Sequence, residues 1–181
     1  MYCFTGIVFN RLSDSTPHVW PATANRCDLT ASRPRFRAEM ATDIDATAHH
    51  FGIIVSDLDR AVEFYRDVLG LDVLTRFSVG DEAFGTAVDI EGASAELVHL
   101  DAGDVRMELA TYEPEGEAMP DPELNRPGST HPGLVVDDLD AVADRLPDAV
   151  ETLSGPQTTE SGTTIMFVVD PEGNRIELLE T

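Results

Sequence analysis

Residues 50–59 read HFGIIVSDLD, and residues 131–140 read HPGLVVDDLD. Six of these ten positions are identical, and two more exchange one aliphatic side chain for another. A second pair of similar segments follows, RMEL at 106–109 and RIEL at 175–178. The first pair is separated by 81 residues and the second by 69, so the second copy is the shorter one. Two copies of one supersecondary unit are the simplest explanation of this pattern.

Each copy begins with a predicted strand and continues into a helix. The strands cover 50–55 and 131–136, and a hydroxyl or acidic side chain follows each strand as the helix N-cap. The candidate caps are Ser56, Asp57, Asp137 and Asp138. Apolar residues recur at helical spacing from Leu58 to Leu69, and Gly70 favours a left-handed stop. The second helix covers 139–146 and ends before Pro147.

Further strands are predicted after each helix, because the apolar period changes to two. They cover 71–77, 95–100 and 105–111 in the first copy, and 163–169 and 175–179 in the second. Turn residues separate the last two strands of each copy, at 101–104 and 170–174. Residues 79–93 carry no pattern that favours an element. The order is β-α-β-β-β twice, which is an α+β arrangement.

Composition divides the chain into an arm and a folded part. Residues 1–47 show no helical or strand period, and most of them lie in a stretch rich in Ser, Thr, Pro and Arg. We expect them to form an N-terminal arm that is disordered or not native, with the true start at Met40. The folded part, 48–181, divides into module 1 (48–112), a linker (113–129) and module 2 (130–181).

Cysteine usage and hydropathy indicate a cytoplasmic protein. Cys3 and Cys27 both lie in the arm, so the folded part has neither a disulfide nor a thiolate zinc site. This favours a reducing compartment. The chain has no run of about 18 apolar residues, so the sequence predicts no membrane span.

The chain is strongly acidic, with 12 basic and 34 acidic residues and a formal net charge of −22. A nucleic-acid partner needs a basic surface, so this charge excludes that class of function. It also disfavours binding to an anionic membrane surface. All 12 basic residues are arginines, and seven of them lie in 40–181 beside 31 acids, which gives this part a charge of −24.

We expect this charge to reflect adaptation to a high-salt cytoplasm. Repulsion between acidic groups reaches about 30 Å in dilute buffer but only about 3 Å in molar salt. Residues 40–181 are therefore predicted to be less stable at low salt. Circular dichroism between about 0.01 M and about 3 M KCl tests this, and equal folding at both limits would contradict it.

Four side chains in the two copies indicate one metal site. A histidine opens the first strand of each copy (His50, His131), and a glutamate lies in the last strand (Glu108, Glu177). If a pseudo-twofold axis relates the copies, these side chains converge on it as symmetric pairs. Two imidazoles and two carboxylates suit Ni, Co, Zn, Mn or Fe. An octahedral ion would keep two positions for water or substrate, as Lewis-acid catalysis requires.

The chain resembles the vicinal oxygen chelate superfamily, also called the glyoxalase, bleomycin-resistance and dioxygenase superfamily. The resemblance covers nearly all of 48–181 and rests on HFGIIVSDLDRAVEFYRDVLGL (50–71), VRMELATYEP (105–114), HPGLVVDDLD (131–140) and DPEGNRIELLE (170–180). It implies two tandem βαβββ modules that form an open cup-shaped sheet around a metal site. The implied ligands of one divalent ion are His50, Glu108, His131 and Glu177. A small-molecule substrate and a homodimer are also expected.

The resemblance further implies proton transfer beside a carbonyl group. Glu177 is the first choice for the base that removes the α-proton, and Glu177 or Glu108 returns it through a metal-bound enediolate. The preferred reaction is that of a lactoylglutathione lyase, in which a 2-oxoaldehyde adduct becomes a thioester with a low-molecular-weight thiol as co-substrate. An acyl-CoA epimerase of the methylmalonyl-CoA type fits the same scheme.

Other activities of the superfamily stay open. An extradiol-type dioxygenase would use His50, His131 and Glu177 as a facial triad. A thiol transferase that inactivates an antibiotic would share the fold. A metal-free drug-binding resistance protein is the alternative of a different class, because it would need no ligand set.

Neighbouring polar residues carry weaker signals. His49 competes with His50, but its counterpart in the second copy is Thr130. His99 has no counterpart and is expected to be structural or to line a pocket. Arg106 and Arg175 flank the glutamates and are candidates to meet an anionic substrate.

Overall fold

A computed structural model describes residues 45–118 and 123–181, and the fold occupies Thr47–Thr181. The elements in chain order are β1 (His50–Ile54), α1 (Leu58–Glu63), β2 (Val73–Val79), α2 (Glu82–Val88), β3 (Ser94–Asp101), β4 (Arg106–Glu113), β5 (Gly133–Val135), α3 (Leu139–Arg145), β6 (Gln157–Thr158), β7 (Thr164–Val169) and β8 (Arg175–Glu180). Met40 and all but the last three residues of the predicted arm lie outside the described residues. The domain boundaries therefore stay predictions.

Each module forms its own four-stranded sheet. The strand orders are β1-β4-β3-β2 and β5-β8-β7-β6. β1 pairs with β4 and β5 with β8 in parallel, and the remaining neighbours are antiparallel. The predicted α+β class and tandem β-α-β-β-β modules are confirmed. β1 and β5 are edge strands of their sheets.

Acidic side chains start the first and last helices, as predicted, and the structure selects one residue from each candidate pair. Asp57 accepts a hydrogen bond from the Arg60 amide at 3.0 Å, and Asp138 accepts one from the Ala141 amide at 2.8 Å. α1 continues into a π-helical turn at Phe64–Val68. Gly70 then adopts a φ of +75°, which confirms the left-handed stop.

Three elements differ from the sequence prediction, and one of them is β6, for which no residues were assigned. α2 lies within the unassigned stretch 79–93, where Asp81 caps it by accepting from the Phe84 amide at 2.8 Å. β5 is shorter than predicted, and His131 lies just before it. Pro132 has no amide hydrogen to donate to a neighbouring strand, which explains the later start. None of the described helices is long and apolar enough to cross a membrane.

One hydrophobic core joins α1 and α3 to one face of both sheets. Tyr65, Leu100 and Met107 from module 1 and Leu139 and Ile176 from module 2 are all fully buried members of it. Burying a large apolar side chain stabilises the fold by about 1.5–3 kcal/mol. Since successive strand residues point to opposite faces, burial of Met107 and Ile176 turns the adjacent glutamates of β4 and β8 away from this core.

The β7–β8 turn ties the two modules together. The buried Tyr65 hydroxyl donates to Asp170 Oδ2 at 2.9 Å. Asp170 also accepts from the amides of Glu172 and Asn174 at 2.9 and 2.8 Å, which fixes the turn. The Glu172 carboxylate in turn accepts from Ser56 Oγ at 2.8 Å, at the start of α1. Burial raises the pKa of Tyr65, and the Asp170 charge and hydrogen bond act in the same direction.

Candidate metal centre

The histidine and glutamate of module 1 lie together on the sheet face opposite the core. His50 is on β1 and Glu108 on the adjacent β4, where Gly52 is directly opposite the glutamate. His50 Nε2 is 3.6 Å from Glu108 Oε1. The Glu108 side chain is 16% exposed and that of His50 is 39% exposed, so the pair borders solvent.

Module 2 repeats this arrangement. Gly133 lies opposite Glu177, and His131 Nε2 is 3.4 Å from Glu177 Oε2. The side chains are 37% and 22% exposed, close to the values of the first pair. The structure therefore brings each predicted histidine to its predicted glutamate.

A glycine makes room for each carboxylate. A Cβ on Gly52 would be 3.6 Å from Glu108 Oε1, and one on Gly133 would be 3.7 Å from Glu177 Oε2. Side chains larger than alanine would enter the space of the glutamates. The repeat contains a signal for this role, because the glycine is identical in both copies.

His99 on β3 joins the module 1 pair. It lies directly across from Glu108, and its Nε2 is 2.8 Å from Glu108 Oε2. Ligand atoms of His50, His99 and Glu108 all lie within 4.8 Å of one another. In module 2 the position across from Glu177 is Phe167, so His99 has no counterpart there. Cross-strand register, which a single sequence does not give, is the signal that finds this residue.

His49 and Arg106 fix the orientation of His50. Arg106 Nη1 is 2.6 Å from His49 Nε2, and His49 Nδ1 is 2.7 Å from His50 Nδ1. Arginine only donates, so His49 accepts at Nε2 and donates from Nδ1. His50 therefore accepts at Nδ1, and in its neutral form keeps its hydrogen on Nε2, the atom that faces Glu108.

The four predicted ligands come together as two pairs. Within the described ranges, no group of three or more such residues with ligand atoms all within 4.8 Å of one another contains His131 or Glu177. The donor atoms themselves fit a divalent ion, because imidazole nitrogens and carboxylate oxygens suit first-row metals. Each pair offers such an ion an open, solvent-bordered face.

Comparison with known proteins supports the fold and identifies the family. The family model described as the Glyoxalase/Bleomycin resistance protein/Dioxygenase superfamily matches residues 47–178. A probable lactoylglutathione lyase of Synechocystis sp. is 30% identical over 139 residues, covering 73% of this chain and 93% of the relative. A 2-epi-5-epi-valiolone epimerase of Actinomyces sp. is 30% identical over 142 residues, covering 72% and 77%.

Solved structures agree on the architecture. A glyoxalase family protein from Bacillus cereus superimposes with a TM-score of 0.67 at 23% identity, over 78% of this chain and 97% of that one. The paired modules, the register of their His–Glu pairs and these similarities lead to one conclusion. The chain belongs to the glyoxalase/bleomycin resistance protein/dioxygenase superfamily.

Proposed function

We propose that the protein is a divalent-metal-dependent enzyme that isomerises the thiol adduct of a 2-oxoaldehyde, as a lactoylglutathione lyase does. The main support is the recurrence of one His–Glu pair at the same position in both modules, with N–O distances of 3.6 and 3.4 Å. The Synechocystis relative, named as a probable lactoylglutathione lyase, supports the choice of reaction.

The ligand set of the proposal is His50, Glu108, His131 and Glu177, and the ion is one of Ni, Co, Zn, Mn or Fe. Such an ion, when bound, acts as a Lewis acid towards the carbonyl oxygen of the substrate. Gly52 and Gly133 keep space for the carboxylates beside it.

A difference between the two glutamates supports the choice of Glu177 as the base. Glu108 Oε2 lies 2.8 Å from His99 Nε2, so a second imidazole stands beside this carboxylate, and we take Glu108 as the glutamate that serves as a ligand only. Across the sheet from Glu177 stands Phe167, which offers no hydrogen bond of this kind. Glu177 therefore accepts the proton from the carbon that bears the thiol and hydroxyl groups. It returns the proton to the adjacent carbonyl carbon, and the hydroxyl proton passes to the former carbonyl oxygen. One C–H and one O–H bond break, one of each forms, and no atom is gained or lost.

A homodimer would unite the two pairs. β1 and β5 are edge strands, and an exposed aliphatic side chain occupies the same repeat position on each, with Ile54 59% and Val135 67% exposed. Exposed apolar edge strands are templates for pairing with another chain. In the proposed dimer β1 of one copy lies beside β5 of the other, which brings the His50–Glu108 pair to the partner copy's module 2.

Epimerisation is the second candidate, and the Actinomyces relative named as an epimerase favours it. The first step is the same removal of a proton beside a carbonyl group. The proton then returns to the same carbon from the opposite face, so an acyl-CoA or a related carbonyl compound is the substrate class.

Solvent exchange tests both reactions in one experiment. The full chain, loaded with Ni²⁺ or Co²⁺ in molar KCl and D₂O, is incubated with a methylglyoxal–thiol adduct and, separately, with a methylmalonyl-CoA epimer. We expect deuterium at the carbon next to the carbonyl group and a thioester product from the first substrate. Chelation should stop the reaction, and returning the ion should restore it. If the metal-loaded protein forms no thioester from the first substrate and neither exchanges the α-proton of the second nor epimerises it, both candidate reactions are wrong.

A further inference from the structure

We propose that module 1 holds a divalent ion on its own, through His50, His99 and Glu108, before the ligands of module 2 join it. This inference rests on the proposed function only in taking His50 and Glu108 as metal ligands. His99 is the new element, and it makes the site a set of two histidines and one carboxylate supplied by a single module.

Three adjacent strands position this set. β1, β4 and β3 carry one ligand each, and their register places His99 directly across from Glu108. His99 is 8% exposed, and its ring stacks on that of His50 with centroids 5.7 Å apart. The Phe77 ring meets His99 edge-on at 5.2 Å. These contacts hold the His99 ring with Nε2 directed at the carboxylate.

The nitrogen that points at Glu108 is also the one that would bind an ion. His99 Nε2 is 2.8 Å from Glu108 Oε2, and His50 Nε2 is 3.6 Å from Glu108 Oε1. Imidazole binds metal through the nitrogen that has lost its hydrogen, so an ion takes the place of these hydrogens between the three side chains. Two histidines and one carboxylate on one face are an established ligand set for divalent first-row ions.

Module 2 lacks this third donor. Phe167 occupies the position of His99, and its ring packs against His131 at 5.2 Å. His131 and Glu177 alone offer two donors, against three in module 1. The ion therefore belongs to module 1, and module 2 completes the site around an ion already bound.

Metal titration of substituted full-length chains tests the inference without an activity assay. Calorimetry with Ni²⁺ alone compares the unsubstituted chain with a double variant, His131→Ala with Glu177→Gln. We expect the double variant to bind a single ion per chain, with Kd raised by no more than about 10-fold. Adding His99→Phe, which copies module 2, should raise Kd by more than the ~10–100-fold typical of an outer-shell partner.

A matched substitution separates a ligand from a hydrogen-bond donor. His99→Gln keeps a donor near Glu108 but removes the imidazole, so we expect it to bind Ni²⁺ as weakly as His99→Phe. Loss of the ion from the double variant, or recovery of affinity with His99→Gln, would overturn the inference. Circular dichroism of each metal-free variant checks that it folds.

The outcomes also separate this inference from the proposed reaction. An unsubstituted chain that binds no Ni²⁺ would overturn both. Ion binding that follows the expected order of variants, with neither substrate converted to product, would overturn the reaction and leave the module 1 site standing.

Discussion

Replacing Glu177 by glutamine is expected to lower turnover by about 10²–10⁴-fold while the metal content of the protein stays unchanged. The amide has nearly the shape of the carboxylate but cannot accept the substrate proton. The ion should remain, because the three donors of module 1 are intact. Steady-state kinetics with the thiol adduct and plasma mass spectrometry on the same sample measure the two quantities.

Glu160→Gln is the matched control, since it removes the same charge from an exposed position of module 2. It should leave turnover and metal content unchanged. Full turnover in Glu177→Gln would show that another group moves the proton. Loss of the ion together with activity would show that Glu177 is needed mainly as a ligand.

Replacing Asp170 by alanine is expected to lower the free energy of unfolding by about 3–5 kcal/mol. The carboxylate is 4% exposed and accepts from the Tyr65 hydroxyl and from two amides of the β7–β8 turn. Its removal leaves a buried hydroxyl without this acceptor and loosens the turn that carries Glu172 to the start of α1. Urea denaturation in molar KCl, followed by circular dichroism, measures the loss.

Tyr65→Phe is the control, because it removes one of these hydrogen bonds and leaves the turn intact. A loss of about 1–2 kcal/mol is expected. If Asp170→Ala costs no more than Tyr65→Phe, the amide bonds of the turn contribute nothing to stability.

The free energy of unfolding at alkaline pH tests the role of Tyr65 in a second way. The pKa of Tyr65 is raised in the folded protein, mainly by burial and then by Asp170, so folding favours the neutral hydroxyl. The associated stability is complete below the unfolded-state pKa of about 10 and falls above it by about 1.4 kcal/mol per pH unit. The Tyr65→Phe variant should lack this particular decline.

The repeat predicted the architecture well because local patterns determine most of it. Strand alternation places Met107 and Glu108 on opposite faces, and Asp57 and Asp138 cap helices through bonds that span three residues. The sequence did not predict α2 because Glu82–Val88 is short and only Gly85 is fully buried, so its apolar stripe is limited to the half-buried Phe84 and Val88.

The sequence predicted only those residues of the candidate site that have a counterpart in the second copy of the repeat. His50 and Glu108 are 58 residues apart, and they are recognised as a pair because module 2 has the same two residue types at the matching positions. His99 has no counterpart in module 2. Its place opposite Glu108 depends on the register of the β3–β4 pairing, which the sequence does not give. The sequence expectation of a structural or pocket-lining residue is compatible with its buried place, but it did not include the contact with Glu108.

Hydrogen bonds run from Arg106 to His49 and from His49 to His50, and each residue donates to the next. The order cannot be reversed, because a guanidinium group has no acceptor atom. An ion on His50 Nε2 would turn His50 Nδ1 into a donor and His49 Nδ1 into an acceptor. Neutral His49 would then present a hydrogen at Nε2, and the contact with Arg106 would become donor against donor. An ion bound there would therefore separate the Arg106 guanidinium from His49 and leave a positive charge at the rim of an otherwise acidic protein.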